Sequence, residues 1–210
     1  MFPVLLIVIL GCLSQRALGC SCSHVHPQSA YCNSAVVIRG KFVAQTDSEK
    51  REHWNQYRIK TTKVFKAPED MGDIEVVHTS KTESLCGYEH KSTNRSEEFL
   101  ITGSIVDGMV VITACGFIAP WDSLTIFQKK GFSQMYEKGC SCQIVPCYSV
   151  PCEVTSDQQC LWTDHLMQRS STGAGSQASS LACLDMGKGL CTWETQKSRL
   201  LTTIRKSKAH

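Results

Sequence analysis

The chain has 210 residues, of which 42% are hydrophobic and 20% charged, with a formal net charge of +3. This is a globular rather than a disordered composition, and the length suits one large domain or two small ones. So small a basic surplus gives no electrostatic argument for nucleic acid as a partner.

Phe2 to Leu13 is a nearly unbroken apolar run. It falls short of the ~20 residues that a membrane-spanning helix needs. Ala17-Leu18-Gly19 then sets small residues where a signal peptidase reads. The pattern predicts a signal peptide over 1–19, cut between Gly19 and Cys20, and hence a secreted, extracellular protein. No later segment reads as transmembrane. Of the 13 cysteines, Cys12 lies inside the signal, and its removal leaves an even number. In an oxidising compartment the remainder reads as six disulfides with no free thiol. The rival reading is zinc held by the closely spaced pairs Cys20/Cys22, Cys140/Cys142 and Cys142/Cys147, which the secretory context disfavours.

The first half of the mature chain reads as strands. Ala35 to Val43 is rich in β-branched residues, and Tyr57, Ile59 and Thr61 alternate with Arg58, Lys60 and Thr62. Between them, the polar stretch Thr46 to Gln56 is expected to project as a hairpin loop. Ile74 to Thr79 is a third run. Phe99 to Val106 and Met109 to Ala114 flank Asp107-Gly108, a strong signal for a two-residue hairpin. Five short strands with turns between them predict a small barrel. The sequon Asn94-Arg95-Ser96 has polar flanks and is an expected glycosylation site on an exposed loop.

After Cys115 the pattern changes. Pro120-Trp121-Asp122 reads as a helix entrance with Asp122 as N-cap, and Leu124, Phe127 and Lys130 keep helical spacing as far as Gly131. A second short helix is expected from Thr163 or Asp164 through Gln168, and Ser170 to Ser180 as a mobile loop. Beyond Glu194 the tail carries Lys197, Arg199, Arg205, Lys206 and Lys208 and no acid. It reads as a solvated basic end or, functionally, as a surface for sulfated matrix polymers or an acidic partner. Six cysteines are spread from Cys20 to Cys140 and six crowd Cys142 to Cys191, which predicts two disulfide-closed modules.

Catalytic motifs are missing: there is no His-Glu-x-x-His, no Gly-x-Ser-x-Gly and no phosphate-binding glycine loop, so an enzyme is not expected. Of the scattered histidines only His24 and His26 are close in sequence, and next to Pro27 they read as a loop without a ligand role. The unusual feature is a mature chain that begins on a cysteine, in Cys20-Ser21-Cys22. A disulfide there would hold the α-amine and carbonyl of Cys20 rigid, and those two groups form a five-membered chelate with a metal. With a pKa of ~7.7–8.0, the amine has a useful neutral fraction at physiological pH. A protease zinc keeps an open coordination position that such a terminus could fill.

The run from Cys20-Ser21-Cys22 through His26-Pro27-Gln28 to Cys32 resembles the opening of the tissue inhibitors of metalloproteinases. Val37-Ile38-Arg39, Ser84-Leu85-Cys86-Gly87, Asp107-Gly108, Pro120-Trp121 and Cys160-Leu161-Trp162-Thr163-Asp164 look like the same family, and the resemblance covers 20–193. Asn94 to Ile101 looks closest to its first-type inhibitor. The resemblance implies a mainly β fold with helices: an N-terminal five-stranded OB-like barrel, the netrin-type module, over 20–141, and a small disulfide-rich C-terminal module with its basic tail over 142–210. It implies the pairs Cys20–Cys86, Cys22–Cys115 and Cys32–Cys140, then Cys142–Cys191, Cys147–Cys152 and Cys160–Cys183. It also implies that Cys20 chelates the zinc of a target protease, and that Ser21 enters the mouth of the specificity pocket. Ser21, Cys22 and Ser23 would form one wedge with Thr82, Glu83, Ser84 and Leu85. No cofactor of its own is expected. The implied partners are matrix metalloproteinases and related zinc proteases, with a cell-surface receptor as a further class. Ser23, His24 and Val25 depart from the family's usual apolar residue and prolines, and Gly40 stands where alanine is common.

Overall fold

The structure, a computed structural model, describes residues 19–47, 52–168 and 175–195. All of the expected signal segment 1–19 except Gly19, the middle of the polar stretch Thr46–Gln56, the first part of the Ser170–Ser180 stretch and the basic tail lie outside the described residues.

Helix α1 (Pro27–Asn33) is followed by the long strands β1 (Val36–Asp47) and β2 (Trp54–Lys66), then β3 (Val76–Ser80), β4 (Phe99–Val106), β5 (Met109–Val111) and β6 (Ile118–Pro120). They form one sheet in the order β1-β2-β3-β5-β4-β6. An added antiparallel pairing of β1 with β4 closes five of these strands into a ring, with β6 alongside β4. The hairpin at Asp107-Gly108 has both residues at positive φ, 49° and 75°, the left-handed turn that matches strand twist. The stretch Thr46 to Gln56 is less of a loop than its polarity predicts. Strand pairing runs out to Asp47 opposite Asn55, because a two-stranded arm in solvent satisfies its backbone in the ladder whatever its side chains.

Burial explains why the first residues of β1 and β4, Val36–Ile38 and Phe99–Ile101, are unbroken apolar runs rather than alternating ones. Val36, Ile38, Phe99 and Ile101 point into the ring, where they meet Phe42, Tyr57, Ile59, Val77, Val110 and Ile112. Val37 and Leu100 point the other way, onto a second core containing Tyr31, Leu124, Phe132, Met135 and Tyr136. A strand covered on both faces has no wet side to encode. The second core also takes in Ala182 and Leu184, so apolar packing is continuous across residues 141–142 although no disulfide crosses there. Gly40 lies where the β1–β2 pair is closest: a Cβ would meet Ile59 Cγ2 at 2.8 Å and the Lys60 carbonyl oxygen at 3.0 Å.

Past the ring, Trp121–Ser123 is a single 3-10 turn and helix α2 (Ile126–Lys130) begins later than expected. The N-cap is Thr125, not Asp122: its hydroxyl accepts from the Gln128 N–H while the Gln128 side chain accepts from the Thr125 N–H. This reciprocal box satisfies two orphan donors, which an isolated Asp122 cannot do. Gly131 does not end the helix either; it stays right-handed and the chain runs on as a wider turn over Gly131–Met135. Trp121 instead serves as a platform, with the Arg39 guanidinium 4.5 Å above its ring and ion-paired to Glu98.

The C-terminal part comprises β7 (Gln143–Pro146) parallel to β8 (Gln159–Trp162), α3 (Asp164–Gln168), α4 (Ser176–Ser180), and the hairpin β9 (Ala182–Asp185) with β10 (Cys191–Glu194). Ser176–Ser180 is therefore helical, where a Ser-, Gly- and Ala-rich sequence predicts a loop. Asp164 holds it: its carboxylate accepts from the N–H groups of Gln177 and Ala178 and from Trp162 Nε1. Burial alone would raise the Asp164 pKa, but these bonds hold it below the usual carboxylate value.

Candidate functional site at the N-terminal segment

Residues 20–25 have no regular secondary structure, and Ser21, Cys22, Ser23 and His24 are exposed. What fixes this strip is covalent. Cys20 is bonded to Cys86 and Cys22 to Cys115, so two alternate positions of the strip are tied to two different loops of the ring. The remaining disulfides are Cys32–Cys140, Cys142–Cys191, Cys147–Cys152 and Cys160–Cys183, so every cysteine among the described residues is paired. The four sulfurs of Cys20, Cys22, Cys86 and Cys115 form one cluster, and the thiolate-zinc reading of Cys20 and Cys22 has no free thiolate to use.

The partner loop is itself well defined. Thr82, Glu83, Ser84 and Leu85 form an exposed turn whose N–H groups at Leu85 and Gly87 both point at the Thr82 carbonyl oxygen, at 3.1 and 3.3 Å. Cys86 closes the turn with φ 55°, and Gly87 follows because a Cβ there would strike the Ser80 carbonyl. The Cys86 carbonyl accepts from Ala114 N–H at 2.8 Å, which joins this loop to the one that carries Cys115. Leu85 is 67% exposed, a large apolar side chain held out from the body. The Cys20–Cys86 bond thus joins the exposed strip that carries Ser21, Cys22 and Ser23 to the end of the exposed turn Thr82, Glu83, Ser84 and Leu85. Gly19 is exposed and a Cβ on it would meet nothing within 4 Å, so the N-terminal side of Cys20 opens onto free space.

The root of the strip is anchored by His26 and Gln28, to which the sequence reading gives no anchoring role. His26 is 1% exposed and caps α1, its Nδ1 accepting from the Gln28 N–H. Its Nε2–H donates to the Gln177 carbonyl, and its ring packs on Trp162 and Trp193 with centroids 5.4 and 5.3 Å away. Gln28, equally buried, donates through Nε2 to the carbonyls of Gly139 and Cys183 and accepts from the Cys183 N–H through Oε1. The helix from which the strip emerges is therefore bolted to β9. Neither contact has a local signal, since the partners lie some 150 residues away, at separations of 151 and 155.

Burial pushes the His26 pKa down to about 4, against weaker upward effects of the Gln177 carbonyl and the Asp164 charge. The unfolded chain takes up this proton near the ordinary value of ~6.5 and the folded chain near 4. Stability is thus expected to be intact above pH ~6.5 and to fall as the pH drops through that window, by about 3 kcal/mol from this one group. Denaturant midpoints at pH 7 and pH 4.5 would check it. His26→Asn, which keeps a capping acceptor, should flatten part of the fall; parallel losses in both proteins would acquit His26.

The sequon is placed as expected for modification, with Asn94 and Ser96 exposed in a turn closed by Glu97 N–H to the Asn94 carbonyl. Among the described residues, no helix is long and apolar enough to cross a membrane.

Comparison with known proteins matches residues 18–193 to the family model described as tissue inhibitor of metalloproteinase. Metalloproteinase inhibitor 2 of Cavia porcellus is 40% identical over 195 residues, covering 89% of this chain and 86% of the relative. Metalloproteinase inhibitor 3 of Xenopus laevis is 38% identical over 189 residues, with the same two coverages. Metalloproteinase inhibitor 4 of Mus musculus is 38% identical over 185 residues, covering 85% of this chain and 81% of the relative. A match over most of both chains, together with the doubly tethered N-terminal strip, establishes that this chain belongs to the tissue inhibitor of metalloproteinase family.

Proposed function

We propose that the chain, secreted and cut after Gly19, inhibits zinc metalloproteinases by placing the α-amine and carbonyl oxygen of Cys20 on the catalytic zinc. The observation that carries this reading is the ridge itself: Cys20 tethered to Cys86, with exposed Ser21 on one side and the exposed turn Thr82–Leu85 on the other. A protease zinc with an open position accepts a neutral amine and a carbonyl oxygen. The ~7.7–8.0 pKa of an α-amine makes the neutral form accessible, where a lysine at ~10.4 would not. The zinc belongs to the target; the inhibitor brings no metal of its own to this step.

Two features suit the ridge to a protease cleft. Both tethered positions are closed before the target arrives, so little chain entropy remains to be lost on binding. Ser21 follows the chelating residue and would enter the pocket just past the zinc, while Leu85 supplies apolar contact from the second strand of the wedge.

Titrating a matrix metalloproteinase catalytic domain with the mature protein should remove activity one for one. Ser21→Gly should weaken binding by about tenfold, or ~1.4 kcal/mol, without loss of fold, because truncations at an interface centre cost most. Equal affinity across several proteases would show that Ser21 fills no pocket.

A further inference from the structure

We propose that His24 and His165 form a two-histidine site for a zinc-type divalent cation, tying the inhibitory strip to the C-terminal helix α3. His24 and His26, the two histidines close in sequence, do not form a metal pair with each other, and the structure gives the reason. Both ring nitrogens of His26 are engaged, one with the Gln28 N–H and one with the Gln177 carbonyl, inside the core. His24, by contrast, is exposed and turns towards a histidine 141 positions further on. Its ring centroid lies 5.7 Å from that of His165, with the planes 66° apart.

That spacing is what a shared metal requires. With zinc–nitrogen bonds of ~2.0–2.1 Å and tetrahedral angles, two imidazole centroids on one ion sit about 5–6 Å apart. The two rings are also held in place from both sides. His24 lies between Cys22, which is bonded to Cys115, and the buried cap His26. His165 follows Asp164, whose carboxylate is fixed by Trp162, Gln177 and Ala178.

The second observation is a nitrogen without a partner. His165 Nε2 is buried and makes no hydrogen bond, although its ring is packed by Tyr148 at 5.0 Å and Trp162 at 5.3 Å. A buried polar atom left unpaired is costly and calls for an explanation. A cation between the two rings supplies the missing partner. The chemistry narrows the ion: the neighbouring Asp164 carboxylate already has three donors, which leaves imidazole as the protein ligand. Imidazole suits zinc, copper and nickel, whereas calcium and magnesium take oxygen. Water completes the coordination. The site stands independently of the inhibitory reading, because neither histidine is needed for chelation by Cys20.

The experiment has to separate this site from the terminal amine and carbonyl, which can themselves hold zinc. Full-length mature protein acetylated at the Cys20 α-amine lacks the terminal chelate and keeps both histidines. Calorimetric titration of that protein with zinc chloride should show one bound equivalent. His165→Gln and, separately, the surface change His24→Gln should each weaken uptake at least tenfold, with near-UV circular dichroism unchanged. Copper(II) should broaden the ring resonances of His24 and His165 and spare those of His26. No zinc uptake by the acetylated protein, or uptake that survives both substitutions, overturns the proposal.

Discussion

Mature protein carrying one extra alanine before Cys20 is expected to inhibit a zinc metalloproteinase at least a thousandfold more weakly than the protein that begins at Cys20, a loss of ~4 kcal/mol. The extension turns a basic amine into an amide, which has no lone pair to offer zinc at neutral pH, and so removes one arm of the chelate. It also adds a residue in the space the metal must occupy. The fold has no reason to change. Gly19 occupies the same position in the uncut chain, is exposed, and has room for a Cβ with nothing within 4 Å. Inhibition constants for the two proteins, with near-UV circular dichroism as the control, decide the matter. An extended protein that is folded and equally potent would reduce Cys20 to a staple.

The second large effect is on stability. Gln28→Met keeps the length and flexibility of the side chain but removes an amide that serves three backbone groups: the carbonyls of Gly139 and Cys183 and the N–H of Cys183. These groups are buried, and water has no room to replace the amide, since a Cβ on Gly139 would already collide with Gln28 and with the Cys183 carbonyl. Each orphaned buried group costs ~1–3 kcal/mol. The variant should lose about 3 kcal/mol or more, read as a lower denaturant midpoint at unchanged slope. A loss below 1 kcal/mol would mean that α1 and β9 are not held together by this residue.

How far the sequence could be read follows from how local each signal is. Asp107-Gly108 announces its turn because the required positive φ is a property of two adjacent residues. Alternation in β2 is legible because Tyr57 and Ile59 face the ring while Arg58 and Lys60 face solvent. The start of α2 was misplaced because the strength of Thr125 as a cap lies in its exchange with Gln128, which a search for a single capping residue overlooks. Ser176–Ser180 is helical only because Asp164 caps it from a different element. The exposed turn at Thr82–Leu85 has no local mark of function at all. Its place beside Ser21 depends on the Cys20–Cys86 bond, and spacing leaves the choice among cysteines open. Only likeness to a family could supply that pairing from sequence, and His24 facing His165 was beyond even that.

The long spans of the first disulfides impose an order on biosynthesis. In a chain secreted and cut as proposed, Cys20 and Cys22 are the first thiols to meet oxidant, and their partners lie 66 and 93 residues behind them. At about 5–20 residues per second, the leading pair waits roughly 3–13 s for Cys86. During that interval each has the other as its nearest oxidation partner. Even in the finished fold, the Cys20 sulfur is 3.6 Å from that of Cys22 and 3.4 Å from that of Cys115. A premature bond within this crowd is undone by thiolate attack and mixed-disulfide exchange, the reaction that isomerases catalyse. The same crowding of sulfur that stiffens the N-terminal strip therefore makes the yield of correctly joined protein depend on how fast its bonds can be shuffled.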